Sequence, residues 1–144
     1  MKPLLTAIRS KLRADLSYVR DRDIFITEDE ALLPRQVKFP AVALKDGDVA
    51  NRLDDKDTIE QQMEVRVTAY AQILKPEESI MGSAGVLQMA ADITASLQEN
   101  TLGLTGVYDA FAVSEEASET FGDEQEMIQK KTVVLRYWRR AART

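Results

Sequence analysis

The chain has 144 residues, 44% hydrophobic and 30% charged, with a formal net charge of −5 and neither histidine nor cysteine. That length fits one domain, 1–144, which buries a core without a disulfide or metal. The missing imidazole and thiol exclude Ser–His and Cys–His catalysis, disulfides and thiolate zinc sites, and the negative balance confines any attraction to nucleic acid or anionic lipid to local patches.

In chain order, Leu4, Leu5, Ile8, Leu12, Leu16 and Val19 recur at helical spacing between Arg9, Lys11, Arg13 and Asp15. This predicts an amphipathic helix of about four turns, with Pro3 in its tolerant first turn. The charges Arg9, Lys11 and Arg13 interrupt any secretion-signal core, and no apolar run is expected to reach the ~18–20 residues of a membrane span. Ile24-Phe25-Ile26 reads as a short strand and the acidic stretch to Pro34 as a loop. A strand starting at Ala41 follows Pro40 and ends at the turn signal Asp46-Gly47-Asp48.

Residues 61–74 alternate strictly, with Met63, Val65, Val67, Ala69, Ala71 and Ile73 against Gln62, Glu64, Arg66, Thr68, Tyr70 and Gln72. They form a long, half-exposed strand. Between these two strands, 46–60 reads as a long acidic loop on a stiff hairpin, a binding arm or inter-subunit clasp. Val86, Leu87, Ala90, Ile93 and Leu97 mark a second helix near 82–99. A loop with Gly103 and Gly106 leads to a strand at 107–113, and 127–138 is the last strand. The order α, β, β, α, β, β predicts an α+β fold: two helices on one face of a mostly antiparallel sheet with a long β-hairpin arm.

The chain holds few groups for chemistry. Asp54, Asp55 and Asp57 are close in sequence, yet a solvated loop explains them better than a dry carboxylate pocket. Counted from Asp46, positions five and six of a calcium loop are Ala50 and Asn51 where a ligand and a glycine are required. Gly103-Leu104-Thr105-Gly106 has the spacing of a nucleic-acid-clamping loop without its positive charge. No cofactor and no metal is expected. An accessory nucleic-acid-binding domain is the alternative, built on Arg136, Trp138, Arg139, Arg140 and Arg143 with aromatic and guanidinium groups interleaved.

Charge is segregated. Residues 114–126 carry Glu115, Glu116, Glu119, Asp123, Glu124 and Glu126 with no base; residues 127–144 carry Lys130, Lys131, Arg136, Arg139, Arg140 and Arg143 with no acid. Such patches suit self-assembly. The acidic segments of one copy meet the basic segment of the next, or else face a lumen and repel DNA. The candidate interface residues are Asp54, Asp55, Asp57, Glu115, Glu116, Glu119, Arg136, Trp138, Arg139 and Arg140, with Trp138, Tyr70 and Phe121 as apolar anchors.

Three stretches carry a family resemblance: Phe39-Pro40-Ala41-Val42-Ala43-Leu44, Val65-Arg66-Val67-Thr68-Ala69-Tyr70, and Ile93-Thr94-Ala95-Ser96-Leu97 ahead of Leu102-Gly103-Leu104. With the N-terminal helix, this order resembles the small tail proteins of Mu-like bacteriophages, themselves similar in layout to the tail terminators of long-tailed phages. The resemblance covers most of the chain and rests on element order rather than on an active-site motif. It implies a non-enzymatic virion protein of a phage or prophage, assembled in the bacterial host cytoplasm. It also implies a ring homo-oligomer, a hexamer, capping the tail tube and facing the head-connector proteins, with DNA only as cargo through the lumen and no membrane partner.

Overall fold

A computed structural model describes residues 1–122 and 127–142. Asp123, Glu124 and Glu126 of the acidic block and Arg143 of the basic run lie outside the described residues. Helix α1 spans Lys2–Asp15 and buries Leu4, Ile8 and Leu12, one residue per turn on one face. It stops four residues before Val19, when the Leu16 amide closes on the Leu12 carbonyl, yet Leu16 and Val19 remain buried beyond it. A 3-10 turn at Asp21–Asp23 then feeds β1 (Ile24–Ile26).

Strands β2 (Ala41–Leu53), β3 (Thr58–Gln72) and β6 (Ile128–Ala142) form the centre of one sheet. Its order is β1-β2-β3-β6-β4, with β4 at Val107–Glu115, and β5 (Glu119–Phe121) follows β4 along the outer edge of β6. Only β1 runs parallel to its neighbour. The fold is therefore the expected α+β arrangement with a mostly antiparallel sheet.

The 46–60 loop is a correction. Both strands continue through it and leave only 54–57 as a turn. Asp46-Gly47-Asp48 is a bulge in β2, not its end: the register slips between Asp46↔Val65 and Val49↔Met63. A bulge absorbs an extra residue and lets pairing continue. Gly47 suits the site because a Cβ there would lie 2.9 Å from the Glu64 carbonyl oxygen. The acidic run is thus the distal half of a long hairpin, and β6 lies along it as far as Ala142, opposite Thr58.

Alternation on β3 sorts the two faces. Met63, Val65, Val67 and Ala69 point to the helices and pair across β6 with Tyr137, Leu135, Val133 and Lys131. Against them pack α1 and α3 (Val86–Leu97), through Ile8, Leu12, Met89, Ile93 and Leu97, all at most 1% exposed. Each such aliphatic side chain contributes about 1.5–3 kcal/mol by leaving water.

The second helical segment is split. Six-residue α2 (Pro76–Met81) and α3 are separated by a turn at 82–85, in which the Gly85 amide donates to the Gly82 carbonyl oxygen at 3.0 Å. Contrary to the sequence expectation, Glu77–Leu97 is long and apolar enough to cross a membrane by length and composition, with 21 residues and a mean hydropathy of 1.2. In this fold its α3 part lies on the sheet.

Among the described residues the opposite face is covered near the start of β2. There the segment 27–40 folds over the sheet, and Leu33, Val37 and Phe39 pack with Ala41, Ala43, Tyr70 and Ile128. Phe39–Pro40 is a cis peptide bond. The Tyr70 hydroxyl donates to the Glu30 carbonyl oxygen at 2.6 Å, and its ring meets Phe121 edge-on at 5.8 Å. Further along, this face stands open to solvent.

The sheet edges differ too. Along β4, α3's end closes the middle: the Glu99 amide donates to the Ala110 carbonyl oxygen at 2.8 Å and the Ala112 amide to Gln98 Oε1 at 3.4 Å. On β2, β1 and the Thr27 amide reach no further than Leu44, leaving Val49–Leu53 exposed as an edge.

Candidate functional site

The open face is a ladder of opposite charges. Glu64 and Arg136 sit directly across from each other on β3 and β6, and the guanidinium donates to Glu64 Oε1 at 2.5 and 3.2 Å. One step along β3, Arg66 donates twice to Glu116, at 2.8 Å each, and also to the carboxylate of Glu30. Three separate segments (27–40, β3 and the β4–β5 link) are stapled by this one side chain. Glu116 is held below the ordinary carboxylate range by its hydrogen bonds and charge pairing with Arg66. Glu64, Arg66, Glu116 and Arg136, with Lys45, Asp46 and Asp48, line a shallow polar trough of about 780 Å³.

The basic run on β6 pairs with acids of the same chain. Lys130 lies 3.3 Å from Glu119 and sits over the Phe121 ring. Lys131 donates to the Glu116 carbonyl oxygen at 2.8 Å and lies 3.6 Å from Glu115. Arg140 lies 3.4 Å from Asp54 and stacks over Tyr108. Arg136 stands over the half-exposed Trp138 as well as on Glu64.

At the hairpin turn Asp55 works locally. Its Oδ1 accepts the amides of Asp57 at 2.7 Å and Thr58 at 2.9 Å, and these bonds depress its pKa. Asp54 and Asp57 stand with it on an exposed turn.

These ten interface candidates therefore do not form one cluster. Asp54, Arg140 and the turn lie at the tip of the hairpin; Glu115, Glu116 and Glu119 lie along β4 and β5; Arg136 and Trp138 lie on the open face. Arg139 is on the helix side instead, where its Nε is buried without a hydrogen-bond partner among the described residues and lines a cavity of about 270 Å³ with Met1, Leu4, Met63 and Leu104. Of the apolar anchors, Tyr70 is 0% exposed and has no area left for a neighbour.

Glu30, Glu64 and Arg66 were missed by the sequence reading. Strand alternation puts Glu64 and Arg66 on one face, which was a usable signal. Nothing local to the sequence locates Glu30, 36 residues away from Arg66. Among the described residues no group of three or more His, Cys, Asp or Glu side chains comes together to hold a metal ion.

No protein-family model matches the chain, and no curated protein sequence matches it. Its fold is similar to that of a chain in the virion of a native gene transfer agent particle. The two share 18% identity at a TM-score of 0.68, over 96% of this chain and 95% of that one. At that identity the likeness is one of fold.

Proposed function

We propose that this protein is a non-enzymatic structural subunit of a phage-like particle, and specifically a tail terminator or tail-completion protein that forms a ring, a hexamer, on the tail tube. The observation that carries the reading is the end-to-end likeness to a virion chain. It agrees with the resemblance of the FPAV strand, the long alternating strand and the Ile93–Leu97 helix to tail proteins. The partners on this reading are further copies of the chain, tail-tube protein and head-connector protein, in the host cytoplasm and then in the virion tail.

The ion pairs within one copy reshape how the interface candidates work. Glu64–Arg136 is 26% and 33% exposed and locked to its own sheet, whereas Glu119 and Arg140 are 66% and 60% exposed. Exposed pairs contribute only about 0–1 kcal/mol, so a neighbouring copy can exchange them at little cost. Glu115, Glu116, Glu119, Asp54 and Arg140 therefore serve as a rim of exchangeable charge, while Trp138 supplies apolar area. The nucleic-acid alternative loses ground for the same reason, since Arg136 and Arg140 already face carboxylates.

Electron microscopy of concentrated protein at low salt, with and without tail tubes, tests the reading. Rings, or caps on tube ends, are expected. Monomers at millimolar concentration together with tubes left uncapped would refute it.

A further inference from the structure

The two ends of the β2–β3 hairpin are chemically complementary, and they are far apart. At about 3.3 Å per residue, the 15 residues of β3 hold them roughly 45 Å from each other. One end is the turn 54–57, with Asp57 exposed and Leu53, 60% exposed, just behind it. At the other end, where β2 begins and β3 stops, a groove of about 500 Å³ has walls of Leu33, Val37, Phe39 and Ile128. Its only charged lining groups among the described residues are Arg35 and Lys38, both exposed, and neither forms an ion pair among those residues.

From this we infer that the groove takes the hairpin tip of a second copy. Leu53 enters between Val37 and Phe39, and Asp57 faces Arg35 and Lys38. The occupant follows from charge and shape together. The groove suits an apolar side chain carried beside a carboxylate on a narrow projection, and the hairpin tip supplies both in Leu53 and Asp57, the three aspartates of the turn outweighing Lys56. The basic run of β6 meets the tip through Arg140, which pairs with Asp54 of its own copy; Lys130, Lys131 and Arg136 are paired away from the tip, Arg139 lies on the helix side, and Asp57 forms no ion pair among the described residues. Tip and groove are different surfaces, so the contact is heterologous and repeats head to tail, closing into a ring when its rotation permits. The inference rests on the proposed self-assembly and names the contact that drives it.

The chain has no cysteine, so engineered thiols report on this contact alone. Lys56→Cys and Gln72→Cys place one thiol on the tip and one at the groove, each on an exposed position, and leave Leu53 in place. The two single variants are mixed at equal, near-millimolar concentration and oxidised. Mixed disulfide dimer at several-fold the yield of either variant alone is expected. Adding Arg35→Glu and Lys38→Glu to the groove partner should cut that yield several-fold, and Asp57→Lys on the tip partner should recover it. A mixed yield no greater than the homodimer yields, or one indifferent to both charge reversals, overturns the inference. Rings seen by microscopy without the cross-link would reject this contact and leave the ring reading standing; absence of both would reject the two together.

Discussion

Replacing Arg66 by methionine tests whether the open-face network holds segments together or merely decorates the surface. Methionine keeps most of the apolar stem and deletes the guanidinium. The side chain is 29% exposed, and its partners Glu30 and Glu116 are 14% and 45% exposed. The half-exposed Glu116 pair is worth about 0.5–1 kcal/mol. The better-covered Glu30 pair is worth about 1.5–2 kcal/mol, within the range for hydrogen bonds to charged groups. Arg66→Met should therefore cost about 2–3 kcal/mol in urea unfolding. For a chain of this length that corresponds to about 6–9 °C in Tm, near 3 °C per kcal/mol. Because Glu30 belongs to the segment that covers Tyr70, the variant should also speed amide exchange across 27–36. A double-mutant cycle with Glu30→Gln should show coupling of about 1 kcal/mol or more. A loss below about 0.5 kcal/mol, or no coupling, would refute the staple.

The same pair predicts a pH effect. Glu116 is depressed in the folded state, so its contribution is complete above the unfolded value near 4.3 and vanishes as pH falls through the lower folded value. Between pH 5 and 3 the wild type should lose more stability than Glu116→Gln, measured by urea titration at each pH; parallel curves would contradict the assignment. Thr68 and Thr132 hydrogen-bond at 2.8 Å inside the sheet. Thr68→Val alone should cost about 1–3 kcal/mol by stranding the other hydroxyl, while the double Thr→Val variant should recover most of that loss in thermal unfolding. Gly106 has φ +84°, and a Cβ there would meet the Arg140 carbonyl oxygen at 2.4 Å, whereas Gly103 has φ +67° and open space. Gly103→Ala should cost about 1–2 kcal/mol from backbone strain, and Gly106→Ala at least about 1 kcal/mol more; equal losses would mean the loop simply moves.

Strict periodicity made the centre of the fold legible. Residues 63–71 alternate without exception, so the two faces of β3 followed from pattern alone. The helical spacing of α1 and α3 was equally plain, although the turn at 82–85 was hidden by apolar neighbours that keep the periodicity running. What failed was the polar half of the hairpin. Asp46-Gly47-Asp48 has the composition of a turn, and pairing overrode it because β3 offers a partner for every residue beyond the bulge. Strand propensity reflects such partners as much as the residues themselves. Of the candidate site, Asp54 and Arg140 do meet, but within one chain, a pairing that needs the β3–β6 register to foresee.

Blocks of opposite charge along a sequence invite a reading as patches for two different molecules. An antiparallel sheet works against it, because neighbouring strands that pair lay successive blocks against each other. Glu119 stands opposite Lys130 across β5 and β6, and Arg52 stands opposite Glu60 across β2 and β3. Each pair then has a partner before any neighbour arrives. Charges that no ion pair engages among the described residues include Asp57 at the tip of a hairpin and Arg35 and Lys38 in the irregular segment 34–39. Those are the places where a second copy gains most, since meeting an unpaired charge breaks no existing contact. Selectivity of association in this protein should accordingly follow Asp57, Arg35 and Lys38 more than the six cations of the C-terminal run. Raising salt should weaken association of the wild type more steeply than that of Arg35→Glu/Lys38→Glu, as sedimentation at graded ionic strength would reveal. An equal salt slope for both proteins would place the selective charge elsewhere.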